Sequence, residues 1–367
     1  MEYKSKCNFL PSQLEISITE KCNQDCDYCW VDKRSRKVLS FSSIKKCIDI
    51  FLALPLDHQT ITFTTNEPFM HPVLYKDTVE YIYSKRQSNK DLTLVTTTNG
   101  LNLTKDVISF LLKCAKKEKD FRLNISLDGE KESHDAHRVL ANKLKHSAFS
   151  VSLKNFLLLP KDFPRVIFTI TPSEADKLNK NIDFILNQGF KKIDIFPQVF
   201  TLWRANDIKS LSEELGILID RINNSSPGYN LRTLNRLWGS THYNKLLMGS
   251  DEKFYLFEWI LTLPSAKREE FVIGDLKKGI DWNKRGKLFT ELFQKVALLV
   301  KGRCDKCKNR NLCGLPLPLY MRCHYKGLDF KKYFDNFCSI ASMLIEHADR
   351  ISPDVRNNLD CHKLKNR

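Results

Sequence analysis

LEISITEKCNQDCDYCW (residues 14–30) runs a strand-like hexapeptide directly into a loop with three cysteines and no fourth. Cys22, Cys26 and Cys29 are spaced C-x3-C-x2-C. The strand before them is the first of six β-rich apolar runs. The others are TITFTT (60–65), LTLVTTT (92–98), RLNISL (122–127), VIFTIT (166–171) and KIDIF (192–196). Each reads as a near-continuous apolar strand, the pattern of parallel strands buried on both faces. Helical stripes fill the gaps. Ile44, Cys47, Ile48, Phe51 and Leu52 recur with helical period, as do Val107, Phe110, Leu111 and Cys114. Leu178, Ile182, Ile185 and Leu186 form a third stripe, closed by Gly189 as a C-cap. Six strand–helix units predict a parallel α/β sheet, either open or a partial (β/α)6 barrel, with ligands at the C-terminal ends of the strands. The three-cysteine loop occupies that position after the first strand.

The chain has 367 residues, of which 42% are hydrophobic and 28% charged, a globular balance too long for one ordinary core. No apolar run reaches the roughly 18 residues of a membrane span. MEYKSKCNFL at the N-terminus lacks a signal-peptide pattern, so a cytoplasmic location is expected and the twelve cysteines read as metal-binding thiols. The net charge of +16 is spread along the chain and fits either a solvated surface or an anionic partner such as nucleic acid. Four segments are expected: a barrel over residues 1–205, a helical linker over 206–251, a cysteine-rich domain over 252–345 and a tail over 346–367. The linker region reads as helical and then loop-like. FYLFEWI and FVIG after it read as short strands.

Three thiolates on one loop hold three corners of an iron–sulfur cube or part of a zinc site. Structural zinc is closed and four-coordinate, and electron-transfer clusters use four thiolates. A site with three leaves one metal position open to a small molecule.

The strand followed by C-x3-C-x2-C, with Tyr28 just before the last cysteine, resembles the radical S-adenosylmethionine enzymes. That resemblance implies a [4Fe–4S] cluster whose fourth iron chelates S-adenosylmethionine and a 5′-deoxyadenosyl radical that abstracts hydrogen. TTNEPFMHP (64–72) is similar to the family's Gly-Gly-Glu-Pro segment, with Thr65 and Asn66 in place of the glycines. Asn tolerates the left-handed backbone such a turn needs. TTNG (97–100) and SLDGEKESHDAHR (126–138) resemble further family segments, the second from the peptide-modifying branch. The resemblance implies that Tyr28, Asn66, Glu67, Ser126, Asp128 and Arg138 border the cofactor, with Arg138 suited to a carboxylate. His134 and His137 read as helix-cap or surface residues, and Cys47 and Cys114 as core.

CDKCKNRNLC places Cys304, Cys307 and Cys313 at C-x2-C-x5-C, with FVIGDLKKGIDW (271–282) upstream. This run resembles the SPASM extension of radical S-adenosylmethionine peptide maturases, which carries two auxiliary [4Fe–4S] clusters. The present chain has no cysteine between 115 and 303 and has Leu317 where the family uses another. One auxiliary cluster is therefore expected, on Cys304, Cys307, Cys313 and Cys338, with Cys323 and Cys361 as alternative fourth ligands. A zinc site on the same thiolates is the competing reading.

The resemblance implies a peptide maturase acting on a peptide or protein side chain, with an electron donor such as flavodoxin or ferredoxin. Few residues precede the first strand, so leader recognition is expected from the barrel rim, the basic surface or a separate leader-binding protein. An RNA-modifying radical enzyme and a non-catalytic iron–sulfur or zinc nucleic-acid-binding protein are the alternatives. No catalytic residue is assigned from sequence.

Overall fold

The computed structural model describes residues 10–32, 37–86, 90–118, 120–142, 147–224, 230–231, 244–307 and 316–352. Six parallel strands appear where the apolar runs stand. They are β1 (Gln13–Ile16), β2 (His58–Phe63), β3 (Asp91–Thr98), β4 (Phe121–Ser126), β5 (Arg165–Ile170) and β6 (Lys192–Pro197). Between and after them lie α1 (Phe41–Leu52), α2 (Pro72–Ser84), α3 (Lys105–Lys117), α4 (Lys131–His137), α5 (Ala148–Phe156), α6 (Leu178–Asn187) and α7 (Ala205–Asn224). Strands β1 to β6 are neighbours in sequence order, so their C-terminal loops gather at one end of a partial (β/α)6 barrel.

The helices start and bury as their sequences dictate. Ser40 caps α1 and Thr104 caps α3, each side chain accepting a backbone N–H of the first turn. Ile44, Cys47, Ile48, Phe51 and Leu52 are all buried on α1. On α3, Val107, Leu111 and Cys114 are buried, while Phe110 only packs against the core. Gly189 takes φ +88°, the left-handed value that ends α6.

Strands β1, β2 and β6 carry consecutive buried residues on both faces as expected, but β3 and β5 do not. Along β3, Leu92, Leu94, Thr96 and Thr98 are buried, and Thr96 meets the Tyr75 hydroxyl of α2 at 2.6 Å. The alternate residues Thr93, Val95 and Thr97, on the face away from α2, are only half-buried. Strand β5 alternates in the same way. An incomplete ring of strands leaves part of its inner face open, so one face of β3 and of β5 stays half-buried, whereas Leu14, Glu15 and Ile16 of β1 are buried on both faces.

Four more strands extend the sheet on the β1 side and one on the β6 side. They are β7 (Asn230–Leu231), β8 (Lys245–Met248), β9 (Lys253–Tyr255), β10 (Val272–Asp275) and β11 (Gly279–Ile280). Strand β8 lies parallel to β1, in register Leu14 with Leu246, within a segment that reads as loop from sequence. Four residues are too short for periodicity to register. β9, β10 and β11 continue as an antiparallel edge, and β7 pairs parallel to β6. FYLFEWI is strand only through Tyr255; Glu258–Thr262 folds into a 3-10 turn. The remaining helices are α8 (Ser265–Arg268), α9 (Trp282–Leu299), α10 (Pro316–Lys326) and α11 (Phe330–Asp349). Asn336 of α11 exchanges two hydrogen bonds with the backbone of Trp203, after β6, which ties the C-terminal helices to the barrel rim. Among the described residues no helix is long and apolar enough to cross a membrane.

Candidate active site

The three-cysteine loop leaves β1 and is held from three sides. Asp25 and Asp27 donate their backbone N–H groups to the carbonyls of Val139 and His137. The His137 ring bonds the Asp27 carboxylate at 2.8 Å and Thr171 after β5 at 2.9 Å. Gln198, after β6, donates to the Tyr28 carbonyl at 3.0 Å. Below the loop, Glu20 pairs with Arg268 of α8 at 2.8 Å, both buried. Cys22, Cys26 and Cys29 are partly exposed and unbridged. The Cys22 sulfur accepts from the Gln24 backbone N–H and from the Asn99 amide, at 3.5 and 3.6 Å. Such N–H···S contacts suit a thiolate or a cluster sulfur.

Asn66 takes φ 60°, the left-handed backbone expected where the glycines are replaced. Its neighbour Glu67 is buried and braces two strand ends. It accepts from Phe69 N, Thr98 Oγ1 and Asn99 N at 3.1, 2.9 and 2.8 Å. Burial pushes its carboxyl up to about 7 against those hydrogen bonds. Glu15, at the β1 end, accepts from the N–H groups of Thr64 and Thr65 and so fixes the same turn. Thr65 Oγ1 and Asn66 Oδ1 are buried with no hydrogen-bond partner among the described residues. An incoming ammonium is the kind of donor that would satisfy them.

After β4, Asp128 is the hub. Arg138 donates to it through Nε and Nη2 at 2.7 and 3.1 Å, and Thr169 N–H at 2.9 Å. The Tyr28 hydroxyl also donates to it, and the Arg138 guanidinium lies 5.3 Å from the centre of the Tyr28 ring. Burial opposes the charge on Asp128, but Arg138 outweighs it and holds the carboxyl below its ordinary value. Two of Arg138's donors are thus engaged within the protein. Ser126 ends β4 and is buried. His134 is not a surface or capping residue: it is fully buried, its Nδ1 accepting from Asp128 N–H at 3.3 Å. His137 is likewise a bridge between loops.

Cys304 and Cys307 flank a short 3-10 turn, joined by a Cys307 N–H to Cys304 carbonyl bond of 3.2 Å. Cys313 and Cys361 lie outside the described residues. Cys323 is fully buried on α10, its thiol pushed up to about 11 by burial. Cys338 on α11 is only partly buried. Leu317 is in the core. Among the described residues no three His, Cys, Asp or Glu side chains converge on a site for a single ion.

A cavity of about 460 Å³ opens at the strand ends, lined by Tyr28, His137, Thr171, Gln198, Phe200 and Arg322 among others. It joins the cysteine loop to the C-terminal helices. The sequence reading missed Asn99, His137, Gln198 and Arg322. Asn99 stands inside the TTNG segment and Gln198 directly behind a strand, so position held a signal for both. For Arg322 it held none.

A parallel sheet with three cysteines and a braced glutamate turn at its C-terminal edge is an arrangement that could hold an open cluster and an amino-acid-bearing cofactor. Residues 16–172 match the family model of the radical SAM superfamily, so this part of the chain is a radical SAM domain. The cofactors of that family are a [4Fe–4S] cluster and S-adenosylmethionine. The chain is 28% identical to an uncharacterized protein of Methanocaldococcus jannaschii, over 49% of this chain and 60% of that one. It is 24% identical to the cysteine-type anaerobic sulfatase-maturating enzyme of Clostridium novyi, over 51% of this chain and 50% of that one. It is 32% identical to the GTP 3′,8-cyclase of Clostridium botulinum, over 32% of this chain and 35% of that one. The chain thus spans between about a third and three fifths of the curated relatives it matches. The structure of native anSMEcpe with bound AdoMet superposes with a TM-score of 0.72 at 18% identity, covering 95% of this chain and 99% of that one. The same protein with bound AdoMet and Cp18Cys peptide gives the same values. This likeness extends the shared fold beyond the matched domain to the C-terminal region with its cysteines.

Proposed function

We propose that this radical SAM enzyme modifies a side chain of a peptide or protein. The observation that carries the reading is the cavity at the strand ends, which runs from Tyr28 of the cysteine loop to Arg322 of the C-terminal helices. A substrate seated there reaches the cofactor site from the side that α10 and α11 cover. The anSMEcpe fold, solved with bound AdoMet and Cp18Cys peptide, supports a peptide as the kind of substrate. Cys22, Cys26 and Cys29 would hold the cluster. Thr65 and Asn66 would receive the ammonium of S-adenosylmethionine, with Glu67 fixing their turn. Ser126, Asp128, Arg138 and Tyr28 would frame the rest of the cofactor. When bound, the cluster and S-adenosylmethionine supply a 5′-deoxyadenosyl radical for hydrogen abstraction.

Cys304, Cys307, Cys313 and Cys338 are proposed for one auxiliary cluster, with a flavodoxin- or ferredoxin-type protein as electron donor. A separate leader-binding protein is the proposed source of any leader recognition. The test is cleavage. Anaerobically reconstituted and reduced protein is expected to convert S-adenosylmethionine to 5′-deoxyadenosine and methionine. The Cys22, Cys26 and Cys29 to Ala triple variant is expected to do neither, and persistent cleavage there would end the reading. Similarity to GTP 3′,8-cyclase favours a second reading with a nucleotide substrate. Turnover of GTP with no mass change in any offered peptide would establish it instead.

A further inference from the structure

The cavity wall that α10 supplies holds a cation that no carboxylate pairs among the described residues. The Arg322 guanidinium lies over the Phe200 ring, 4.9 Å from its centroid. Its Nε and Nη1 are buried, and no acceptor meets them among the described residues. The ionisable groups that face it are Tyr333, Cys29 and Cys323, none of them a carboxylate. Two carboxylates share the cavity wall, and both are engaged elsewhere. Asp27 is held by His137 at 2.8 Å, and Asp207 accepts the Arg204 N–H at 2.8 Å. Residues 308–315, which lead into α10, include no Asp or Glu.

Burying guanidinium donors without acceptors is unfavourable, and arginine does not escape by losing its proton. The arrangement makes sense when the acceptor arrives with a ligand. The two unmet nitrogens sit on different edges of the guanidinium, so each has an N–H to donate to a carboxylate oxygen. The Phe200 face fixes the plane of the fork.

We propose that Arg322 binds a carboxylate in this cavity, and that the carboxylate belongs to the molecule being modified. In a peptide it is an Asp or Glu side chain or the C-terminus near the reacting residue. That choice of source rests on the proposed function; the carboxylate site itself does not. Arg322 comes from the C-terminal helices and packs on the residue three places beyond β6. The residues proposed for the cofactor's ammonium, Thr65 and Asn66, come from the end of β2, and Ser126, proposed to frame the rest of it, ends β4.

The test compares reconstituted wild-type protein with R322Q and R322K. Calorimetry follows S-adenosylmethionine and its decarboxylated analogue. Fluorine NMR follows trifluoroacetate, used as a bare carboxylate, with S-adenosylmethionine present. Wild-type protein is expected to bind trifluoroacetate saturably, and R322Q to bind it roughly tenfold or more weakly. R322K, with a charge but no fork, should fall between, and S-adenosylmethionine affinity should hold. Should R322Q fail to fold, the R322K comparison decides. If the Arg322 variants weaken S-adenosylmethionine but not its decarboxylated analogue, the carboxylate is the cofactor's and the substrate assignment is overturned. If wild type and variants bind all three probes alike, or wild type shows no saturable trifluoroacetate binding, the site is overturned. Failure of wild-type protein to bind S-adenosylmethionine, with trifluoroacetate binding intact, would sink the proposed function and leave the carboxylate site standing.

Discussion

Arg268→Ala is expected to be among the most damaging single changes outside the cysteines. Glu20 and Arg268 are 2% and 4% exposed at the side chain and lie 2.8 Å apart. Arg268 also donates to the Leu263 carbonyl at 2.8 Å and reaches the Asp32 carbonyl at 3.3 Å. Removing it leaves the Glu20 carboxylate buried, with the Ser250 hydroxyl at 3.1 Å as its remaining hydrogen bond among the described residues. Breaking one partner of a buried pair costs about 3–5 kcal/mol, because the other charge is stranded. The orphaned Leu263 carbonyl pushes the value toward the upper end. Urea denaturation of the reconstituted protein measures it. The double variant E20Q/R268M removes both charges and should lose less than R268A alone. Glu20 stands two residues before Cys22, so R268A should also lower iron retention. For comparison, K209A breaks the exposed pair with Glu213 and should cost under about 1 kcal/mol. An R268A protein within about 1 kcal/mol of wild type, with full iron, would refute the reasoning.

Reconstituted protein should hold about eight iron atoms per chain and the triple cysteine variant about four; about twelve would indicate a second auxiliary cluster, and about four with one zinc a structural zinc site. Burial, reinforced by Arg138, lowers the His134 imidazole to about 4 from an ordinary 6.5. The neutral ring therefore contributes stability that is present above about pH 6.5 and lost as pH falls through 4, on the order of 3 kcal/mol in all. H134N, whose amide oxygen can still accept the Asp128 N–H, should flatten the fall in urea-measured stability between those pH values; an unchanged slope would exclude His134 as its source. Gly129 sits at φ +86°, where an added Cβ would stand 2.1 Å from Asn181 Oδ1, the acceptor of the Glu130 N–H. G129A should therefore lose more than about 1 kcal/mol by thermal or urea melting, and a neutral effect would show that this loop moves freely.

The six parallel strands and their helix stripes were legible because long elements repeat their pattern many times. Strand β8 was not, since Lys245–Met248 offers too few positions for a period and its partner β1 is over two hundred residues away in sequence. The cysteine loop and the Glu67 turn were legible from residue type and spacing, and Asn66 takes the left-handed backbone its identity allowed. The wrong expectation for His134 has a physical cause. A histidine in a polar helix reads as exposed, and only the packing of α4 under the β4 loop shows that its ring receives the Asp128 N–H.

The residues that sequence could not supply share one property: they act across elements. Gln198 reaches the Tyr28 carbonyl from the end of β6, and His137 links Asp27 to Thr171. Arg268 grips Glu20 from beyond the barrel, and Arg322 enters the cavity from α10. Apart from Gln198, whose place directly behind a strand is a signal, each is a single polar residue in an ordinary local context that neither spacing nor propensity marks. Their common destination is the cysteine loop and the cavity beside it. Spacing identified the loop, while its position depends on side chains contributed by segments as distant as residues 268 and 322. A fragment ending at residue 205 would keep all three cysteines and the Glu67 turn but lose Arg268, Arg322 and the pairing of β8 with β1. On these contacts, the C-terminal region helps build the site itself and does more than cover it.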